Sequence, residues 1–466
     1  MENIQERHKY KNSKFNHFIY RDNCFLVFNT LYSKLYRVNR ELWYFLKVID
    51  DGYGDLTTTL IKRLFETGLI VENNTDEEKL MYHIILSSIY ENRLSVTIIP
   101  TEACNFRCVY CFEPHHNNYM TDETEKRIIK FFRKNTMNFK SIHIDWFGGE
   151  PLLQKERIIR IMKSVKQICQ QYGVPLYSTM VTNGYLLDVD TFDQLINTGV
   201  YYFQITLDGS RSIHDKRRKY ITGGPTYEMI YNNILNIKKQ AKQKYFHIII
   251  RSNITKSDYE DYQQFLDEIL TDVGDDKRFQ FSCEPIYDWG GTSVKQVDES
   301  LFESRLQLSN LLLPVVKDRQ MTLFDFVTGS LSENRCIAGK ANGFLINYDG
   351  QVYKCGMISE EGSDGREYYN HIGAINKDGK LDINEANNSR FLELAQKHKK
   401  CDGCCWLPQC LICTCPLYNA KGHGIRCLKE FIGIDYLNES IWSAYSQGKA
   451  IDLTNLVFKS RREITK

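Results

Sequence analysis

Apolar and amphipathic segments alternate over the middle of the chain, and this alternation limits the fold more than any other feature. The apolar segments predict strands at Leu94–Ile99, Ser141–Phe147, Leu176–Val181, Tyr201–Leu207, Phe246–Ile254 and Phe279–Cys283. The amphipathic segments between them predict helices at Asp122–Lys134, Lys155–Tyr172, Val189–Thr198, Tyr227–Lys242 and Asp258–Leu270. Because such units pack as a parallel sheet covered by helices, we expect an α/β fold with a partial, TIM-like (β/α)6 barrel. Ligands of these sheets collect at the carboxyl ends of the strands.

Three cysteines follow the first predicted strand in the spacing C-x3-C-x2-C, namely Cys104, Cys108 and Cys111. A [4Fe-4S] cube is ordinarily closed by four thiolates, so a trio without a close fourth cysteine leaves one iron open to a small molecule. Zinc loops usually bring C-x2-C pairs with two more ligands nearby. The loop therefore predicts an iron-sulfur cluster with a vacant position, and a zinc site is the alternative.

The cysteine loop, with Tyr110 directly before its third cysteine, resembles the radical S-adenosylmethionine (SAM) enzymes. In that family SAM chelates the open iron through its amino and carboxylate groups. One electron from the cluster cleaves the sulfonium C–S bond, and the 5'-deoxyadenosyl radical abstracts a substrate hydrogen atom. The resemblance implies a [4Fe-4S] cluster held by Cys104, Cys108 and Cys111, with SAM as cofactor.

Further motifs of the family follow the later strands. Phe147-Gly148-Gly149-Glu150-Pro151 matches the motif that grips the methionine amino group of SAM. Thr206-Leu207-Asp208-Gly209, with an arginine twelve positions after its threonine, resembles the sulfatase-maturase branch, which places a serine where this chain has Thr206. Turn and capping chemistry is the alternative for Asp208, Gly209 and His214. The resemblance implies SAM contacts by Tyr110, Gly148, Gly149, Glu150, Asn183, Thr206 and Arg218.

Cysteines cluster again in the last third of the chain. Gly343–Asn347 and Gln351–Tyr353 predict a hairpin around Asp349-Gly350 that ends at Cys355. The order of the cysteines that surround and follow it resembles the SPASM extension, which carries two auxiliary iron-sulfur clusters, and a pair of zinc ribbons is the alternative. The full set is Cys336, Cys355, Cys401, Cys404, Cys410, Cys413, Cys415 and Cys427.

The SPASM resemblance implies ligands for both auxiliary clusters, and so three [4Fe-4S] clusters in all. The second auxiliary cluster takes Cys401, Cys404, Cys410 and Cys427. The first takes Cys336, Cys355 and Cys415 (or Cys413), because the family spacing falls between the last two and the Cys415-Pro416 context favours Cys415. The window from Ile337 to Ile346 holds no cysteine, so the first cluster has an open iron for a substrate thiolate unless Cys405 or Cys413 fills it.

The amino-terminal residues predict a winged-helix-like domain. Short β-rich runs at His17–Tyr20, Cys24–Asn29 and Lys34–Val38 predict a three-strand meander, followed by helices at Arg40–Ile49 and Leu56–Thr67 and a strand at Leu69–Val71. The second helix carries only Lys62 and Arg63, which argues against a DNA-binding regulator because no basic stripe can meet phosphates. The arrangement resembles the recognition element of many peptide-modifying radical SAM enzymes, where a leader peptide adds a strand to an exposed sheet edge.

These patterns divide the 466 residues into six predicted segments. They are the winged-helix-like domain 1–72, a linker 73–92, a radical SAM core 93–290, a connector 291–335, a SPASM domain 336–430 and a C-terminal tail 431–466. The 60 basic and 58 acidic residues nearly cancel, and no run approaches the ~18 apolar residues of a membrane span, so we expect neither nucleic acid nor membrane as a partner. The amino terminus lacks a secretory signal, which predicts a cytoplasmic protein.

These motifs predict a radical SAM peptide maturase. It binds a precursor peptide through its leader, takes electrons from a donor such as flavodoxin or ferredoxin, and installs a thioether or, alternatively, a carbon-carbon crosslink. One alternative is an anaerobic sulfatase maturase that oxidises a cysteine or serine side chain. That group has an aspartate base directly after the second SPASM cysteine, and Gly356 here lacks the carboxylate. The other alternative is a zinc-binding winged-helix regulator, and no residue is assigned as a catalytic acid or base.

Overall fold

The computed structural model describes residues 9–49, 58–113, 115–286, 297, 306–308, 310–313, 335–356, 370–420 and 422–456. The start of the predicted helix Leu56–Thr67, most of the predicted connector 291–335 and the end of the predicted tail lie outside these ranges. Within them, no helix has both the length and the hydropathy needed to cross a membrane.

The strands are short and follow the chain in this order: β1 Tyr10–Asn12, β2 Asn16–Arg21, β3 Cys24–Asn29, β4 Lys34–Val38, β5 Ile70–Glu72, β6 Arg93–Ile98, β7 Phe106–Cys108, β8 Ser141–Trp146, β9 Leu176–Thr182, β10 Tyr202–Thr206, β11 Arg218–Tyr220, β12 His247–Ile254, β13 Phe279–Pro285, β14 Gly343–Ile346, β15 Gln351–Tyr353, β16 His371–Ile375, β17 Leu381–Ile383 and β18 Ile451–Asp452.

The α-helices of the described residues are α1 Arg40–Val48, α2 Thr58–Thr67, α3 Glu77–Ile89, α4 Asp122–Asn135, α5 Lys155–Tyr172, α6 Val189–Thr198, α7 Arg211–Arg217, α8 Tyr227–Gln240, α9 Tyr259–Val273, α10 Glu385–Arg390, α11 Leu407–Cys413, α12 Pro416–Ala420, α13 Leu428–Phe431 and α14 Ile434–Ser446. Their ends follow the local sequence. Asp188 caps α6 by accepting from the Thr191 amide, and Gly173 ends α5 at φ 65°.

The chain divides into two compact units, a first unit built from residues 1–90, 325–336 and 394–466 and a second unit built from residues 91–324 and 337–393. A ten-stranded sheet organises the second unit. Its strand order is β13-β12-β10-β9-β8-β6-β14-β15-β16-β17. The first six strands are parallel and neighbour one another in chain order. This arrangement confirms the predicted α/β fold with a partial barrel, and in the described residues the sheet does not close on itself.

The predicted hairpin around Asp349-Gly350 is also present, and it continues the same sheet. β14 lies parallel to β6, with Gly343 opposite Ser95 and Ile346 opposite Ile98. β15 then returns antiparallel to β14. The first part of the predicted SPASM segment is therefore hydrogen-bonded to the strand that precedes the cysteine loop.

The other unit, built from residues 1–90, 325–336 and 394–466, contains a four-stranded sheet of order β18-β4-β3-β2. The antiparallel strands β2, β3 and β4 form the predicted meander. Two pairings were not predicted: β1 lies antiparallel to β5, and β18 from the end of the chain lies parallel to β4.

Two hydrophobic cores lie among the described residues of this unit. The larger core joins the meander and α3 to the cysteine-rich helices, because Phe28, Met81, Ile85, Trp406 and Leu437 belong to one cluster of buried side chains. The segment 73–92, predicted as a linker, thus contributes a helix with buried Met81 and Ile85. The smaller core gathers side chains of β3, β4, α1 and α2 with Leu453.

Candidate functional site

A cavity of about 230 Å³ lies at the carboxyl ends of the parallel strands. The three cysteines of the loop after β6 line it, together with residues that follow or end β8, β9, β10 and β12. The predicted SAM residues on its wall are Tyr110, Gly148, Gly149, Asn183, Thr206 and Arg218. Positions distant in sequence therefore meet around one cavity, as the strand-end argument predicts.

The paired glycines allow the loop after β8 to lie against the backbone of the cysteine loop. A Cβ on Gly149 would lie 2.3 Å from the Ala103 carbonyl oxygen, and one on Gly148 would lie 2.6 Å from that of Thr101. Gly148 also has a φ of 116°, which side-chain-bearing residues rarely adopt. Any side chain at these two positions would separate the loops.

Arg218 is fixed beside the cysteine loop by a polar network. Its Nη1 donates to the Tyr110 hydroxyl at 2.7 Å, and that hydroxyl donates to the Asp208 carboxylate. Asn253 donates from its backbone amide to Asp208 at 2.8 Å. Burial alone would lower the pKa of Arg218, but Cys108, Tyr110 and Asp208 together raise it, so the guanidinium stays charged.

The residues on this wall fit an iron-sulfur cluster and SAM. Burial raises the pKa of all three thiols, that of Cys104 to about 12, so thiolates in this loop need a cation beside them, as cluster iron provides. Nε of Arg218 is buried and has no hydrogen-bond partner in the described part of the chain. A ligand carboxylate in the cavity would satisfy that donor.

Glu150 is the predicted SAM residue that does not line the cavity. Its side chain is fully buried. Oε1 accepts from the Leu152 amide at 3.0 Å and the Thr182 hydroxyl at 2.7 Å, and Oε2 accepts from the Asn183 amide at 2.8 Å. The structure thus places this carboxylate as a brace between the loop after β8 and the end of β9.

Glu150→Gln should therefore lower the free energy of unfolding by about 1–3 kcal/mol, because a side-chain NH2 replaces one acceptor oxygen opposite buried donors. Thermal unfolding of the metal-loaded protein measures this. Glu156→Gln, at the exposed start of α5, is the matched control and should leave the melting temperature unchanged. Equal melting temperatures for both variants would contradict the bracing role.

Several cavity residues were not predicted. Glu113 and His115 follow the third cysteine, and Gln204, Arg251 and Asn253 lie on β10 and β12. Burial, followed by the neighbouring Glu102, raises the pKa of Glu113 to about 7, and burial lowers that of His115 to about 4. The only sequence signal for the strand residues is a polar side chain inside a β-branched run, as in His247–Ile254.

His214 lies outside the cavity wall. Its Nδ1 accepts from the Asp208 amide at 3.1 Å, and its Nε2 lies 3.1 Å from the Thr226 hydroxyl. Burial lowers its pKa well below the usual value, so the ring is neutral. His214 therefore stabilises the turn after β10, as in the alternative to a SAM contact.

The cysteines predicted for the second auxiliary cluster lie together in the first unit. Burial raises the pKa of Cys410 to about 12, and Cys427 and Cys404 add to the rise. The Cys401 carbonyl accepts from the Cys404 amide at 3.1 Å, and the Leu428 amide donates to the Cys410 sulfur at 3.3 Å. The four cysteines thus lie on one short turn (Cys401 and Cys404), in the middle of α11 (Cys410) and directly before α13 (Cys427).

For the first auxiliary cluster, Cys355 lies in the second unit directly after β15, whereas Cys336, Cys413 and Cys415 belong to the first unit. Their assignment stays a prediction. Within the described ranges, no three or more His, Cys, Asp or Glu side chains form a site for a single metal ion, whereas an iron-sulfur cluster binds its thiolates on separate irons.

Residues 98–266 match a family model described as the Radical SAM superfamily. These residues form a radical SAM domain. Members of this superfamily are enzymes, and the domain implies one [4Fe-4S] cluster and SAM as cofactors. The chain is therefore an enzyme, and this finding argues against the alternative of a zinc-binding winged-helix regulator.

Known relatives share this domain at low identity. The radical SAM chain is 23% identical over 342 residues to a cysteine-type anaerobic sulfatase-maturating enzyme of Clostridium perfringens, covering 68% of this chain and 87% of that protein. It is 24% identical to the radical SAM cyclopropyl synthase TigE of Paramaledivibacter caminithermalis, covering 54% of this chain and 65% of that protein. The solved structure of anSMEcpe with bound AdoMet and Cp18Cys peptide matches with a TM-score of 0.51 and 18% identity, over 76% of this chain and 98% of that one, and this likeness shows a common fold.

Proposed function

We propose that this enzyme is a peptide maturase that modifies a ribosomally made precursor peptide by radical chemistry. The observation that carries the proposal is the meeting of Cys104, Cys108 and Cys111 with Arg218 and the paired glycines around one cavity. When bound, the cluster and SAM supply a 5'-deoxyadenosyl radical that abstracts a hydrogen atom from the peptide.

The residues of the chain bind and orient these groups. The three cysteines hold the cluster, the backbone of Gly148 and Gly149 receives the SAM amino group, and Arg218 pairs with its carboxylate. Thr206 at the end of β10 meets the ribose. Tyr110 keeps the guanidinium of Arg218 in place through the 2.7 Å hydrogen bond, so the side chain is oriented before SAM arrives.

A peptide substrate is supported from two sides. The solved structure of anSMEcpe contains a bound peptide, Cp18Cys, and the similar enzyme of Clostridium perfringens matures sulfatases, which are polypeptides. The meander with α1 and α2 resembles a recognition element to which a leader peptide adds a strand. An electron donor such as flavodoxin or ferredoxin completes the proposed set of partners.

We further propose that two auxiliary [4Fe-4S] clusters serve the reaction. Cys401, Cys404, Cys410 and Cys427 hold one of them, and their closeness in the first unit supports this set. Cys336, Cys355 and Cys415 (or Cys413) hold the other. The fifteen cysteines all lie in the described residues and form no disulfide bond, which supports a reducing compartment such as the cytoplasm.

The proposed product is a crosslink, a thioether or a carbon-carbon bond. A thioether would form from a thiol and a C–H bond with a net loss of two protons and two electrons. The hydrogen atom of the C–H bond would go to the 5'-deoxyadenosyl radical, the thiol proton to solvent, and the one remaining electron to an auxiliary cluster. Gly356 favours this reaction over side-chain oxidation. A Cβ there would lie 3.6 Å from Leu345 Cδ1 and 3.9 Å from the ring of Phe147, a cavity residue. A Cβ atom therefore fits at this position, but the carboxylate that sulfatase maturases use as a base is absent.

Oxidation of a cysteine or serine side chain, as in a sulfatase maturase, is the second candidate. The similarity to sulfatase-maturating enzymes over 68% of this chain favours it. Incubation with the Cp18Cys peptide separates the two candidates. Conversion of its cysteine to an aldehyde supports oxidation, whereas an unmodified peptide alongside steady release of 5'-deoxyadenosine supports the crosslinking enzyme.

Replacing Cys404 with alanine tests the auxiliary clusters. The variant should lose the modified peptide to background and keep SAM cleavage, because the cavity cysteines are untouched. Peptide mass spectrometry and release of 5'-deoxyadenosine measure the two activities, with short reading frames beside the gene supplying candidate precursors. Iron should fall from about twelve to about eight atoms per chain if one cube of three is lost.

The matched control is Cys24→Ala, a buried cysteine of the same hydrophobic core that belongs to no predicted cluster. It should keep both activities and the full iron content. Normal peptide modification by the Cys404→Ala variant would show that this cluster has no role in product formation.

A further inference from the structure

The strand β18 covers the outer edge of β4 in the four-stranded sheet. Ile451 and Asp452 lie opposite Tyr36 and Arg37, and the Leu453 amide donates to the Arg37 carbonyl at 2.8 Å. Because the other side of β4 pairs with β3, this contact occupies the remaining hydrogen-bonding edge of that strand. The chain itself thus shows that this edge accepts an added strand.

The site next to this edge is shaped for an extended segment. The side chain of Leu453 is 2% exposed and packs in the core with Tyr36, Val38 and Leu42, whereas that of Ile451 is 46% exposed. The Asn39 side-chain amide donates to the carbonyls of Thr454 and Leu456 at 3.0 and 2.8 Å. The edge of β4, the apolar pocket around Leu453 and the side-chain amide of Asn39 therefore bind residues 451–456.

The contacts that hold β18 in place are nevertheless few and weak. Among the described residues, β18 pairs with β4 through two residues, Ile451 and Asp452, and both are exposed. The Arg37–Asp452 ion pair measures 4.0 Å between exposed side chains, and such pairs contribute little. The buried Leu453, the partly buried Leu456 and a few hydrogen bonds hold the segment, so another strand of similar pattern can compete for the place.

We propose that residues 451–456 are a built-in occupant of a strand-addition site and that the leader of the precursor peptide displaces them. The inference rests on the proposed function, which supplies the leader as the partner. The displacing segment is extended, pairs with β4 and places one large aliphatic side chain where Leu453 now lies. Only chains whose β4 edge is free can then bind the leader, so the apparent affinity is the intrinsic affinity multiplied by the fraction of such chains.

Binding of a fluorescent synthetic peptide of residues 449–456 to the full chain tests this occupancy. The Leu453→Ala variant should bind the peptide at least about tenfold more tightly than the unaltered chain, because its own strand is loosened. Ile451→Ala, which trims an exposed side chain of the same strand, is the matched control and should behave like the unaltered chain. Equal affinity in all three proteins overturns the proposal.

Hydrogen exchange gives a second measurement that needs no substitution. Excess unlabelled peptide should speed exchange of the Leu453 amide in the unaltered chain, and an unchanged rate overturns displacement. A leader that the enzyme modifies should compete with the labelled peptide for the Leu453→Ala variant, and modification without competition overturns the leader assignment. Release of 5'-deoxyadenosine by the same preparations reports the proposed catalytic function separately, since it does not depend on β18.

Discussion

Replacing Cys108 with alanine should reduce SAM cleavage to background. Cys108 lies on β7, opposite Arg218 of β11, and its thiol lines the cavity. Without it only two loop thiolates remain to hold the four-iron cluster, so the cluster is lost or poorly bound. Release of 5'-deoxyadenosine under reductant measures the activity. Iron content and the absorbance of iron-thiolate groups at ~400 nm measure the cluster.

The control for this variant is Cys169→Ala. Cys169 is buried in α5 and lies outside the cavity wall, so its loss should cost some stability and leave SAM cleavage intact. Full activity of the Cys108→Ala variant would disprove the assignment of this loop as the cluster site.

Replacing Arg218 with alanine should weaken SAM binding by roughly 10- to 150-fold, as expected from the loss of a charged hydrogen bond worth about 1.5–3 kcal/mol. The free energy of unfolding should also fall, by about 1–3 kcal/mol, because the buried Tyr110 hydroxyl loses the donor from Arg218 and Asp208 loses one nearby positive charge. Equilibrium binding of SAM to the reconstituted protein measures the first effect and thermal unfolding the second.

Arg217→Ala separates the two effects. Arg217 is also buried, and its guanidinium donates to Asp258 at 2.5 and 2.9 Å, but it does not line the cavity. The Arg217→Ala variant should lose at least as much stability, because the buried carboxylate of Asp258 loses its ion pair, and its affinity for SAM should be unchanged. If both variants weakened SAM binding equally, Arg218 would have only a structural role.

Local sequence patterns predicted the elements of the partial barrel well. The predicted helices Lys155–Tyr172 and Val189–Thr198 coincide with α5 and α6, because a 3.6-residue apolar period and capping residues such as Asp188 act within each segment. The site followed from the same information. Cys104, Gly148 and Thr206 lie at or just after the ends of predicted strands. Because parallel strands end on one edge of the sheet, these residues were expected to lie close together.

Long-range pairings could not be predicted in this way. The pairings of β14 with β6 and of β18 with β4 depend on which sheet edges remain free after the chain has folded. The hydrophobic periodicity within a segment carries no information about those edges. The shared core of Met81, Ile85 and Trp406 joins segments that the sequence patterns had placed in three different parts of the chain. Glu150 lies in a motif that predicts a SAM contact, but its carboxylate is used by neighbouring backbone amides.

The parallel contact between β6 and β14 also determines how far the catalytic domain can be cut out or exchanged. A chain that stopped after Ile286 would leave Arg93–Ile98 with a row of unsatisfied amides and carbonyls, next to the buried Leu94, Val96 and Ile98. Such an edge is a template for aggregation. Grafting a different extension onto this enzyme, in the laboratory or in evolution, therefore requires a new sequence that brings its own replacement for Gly343–Ile346.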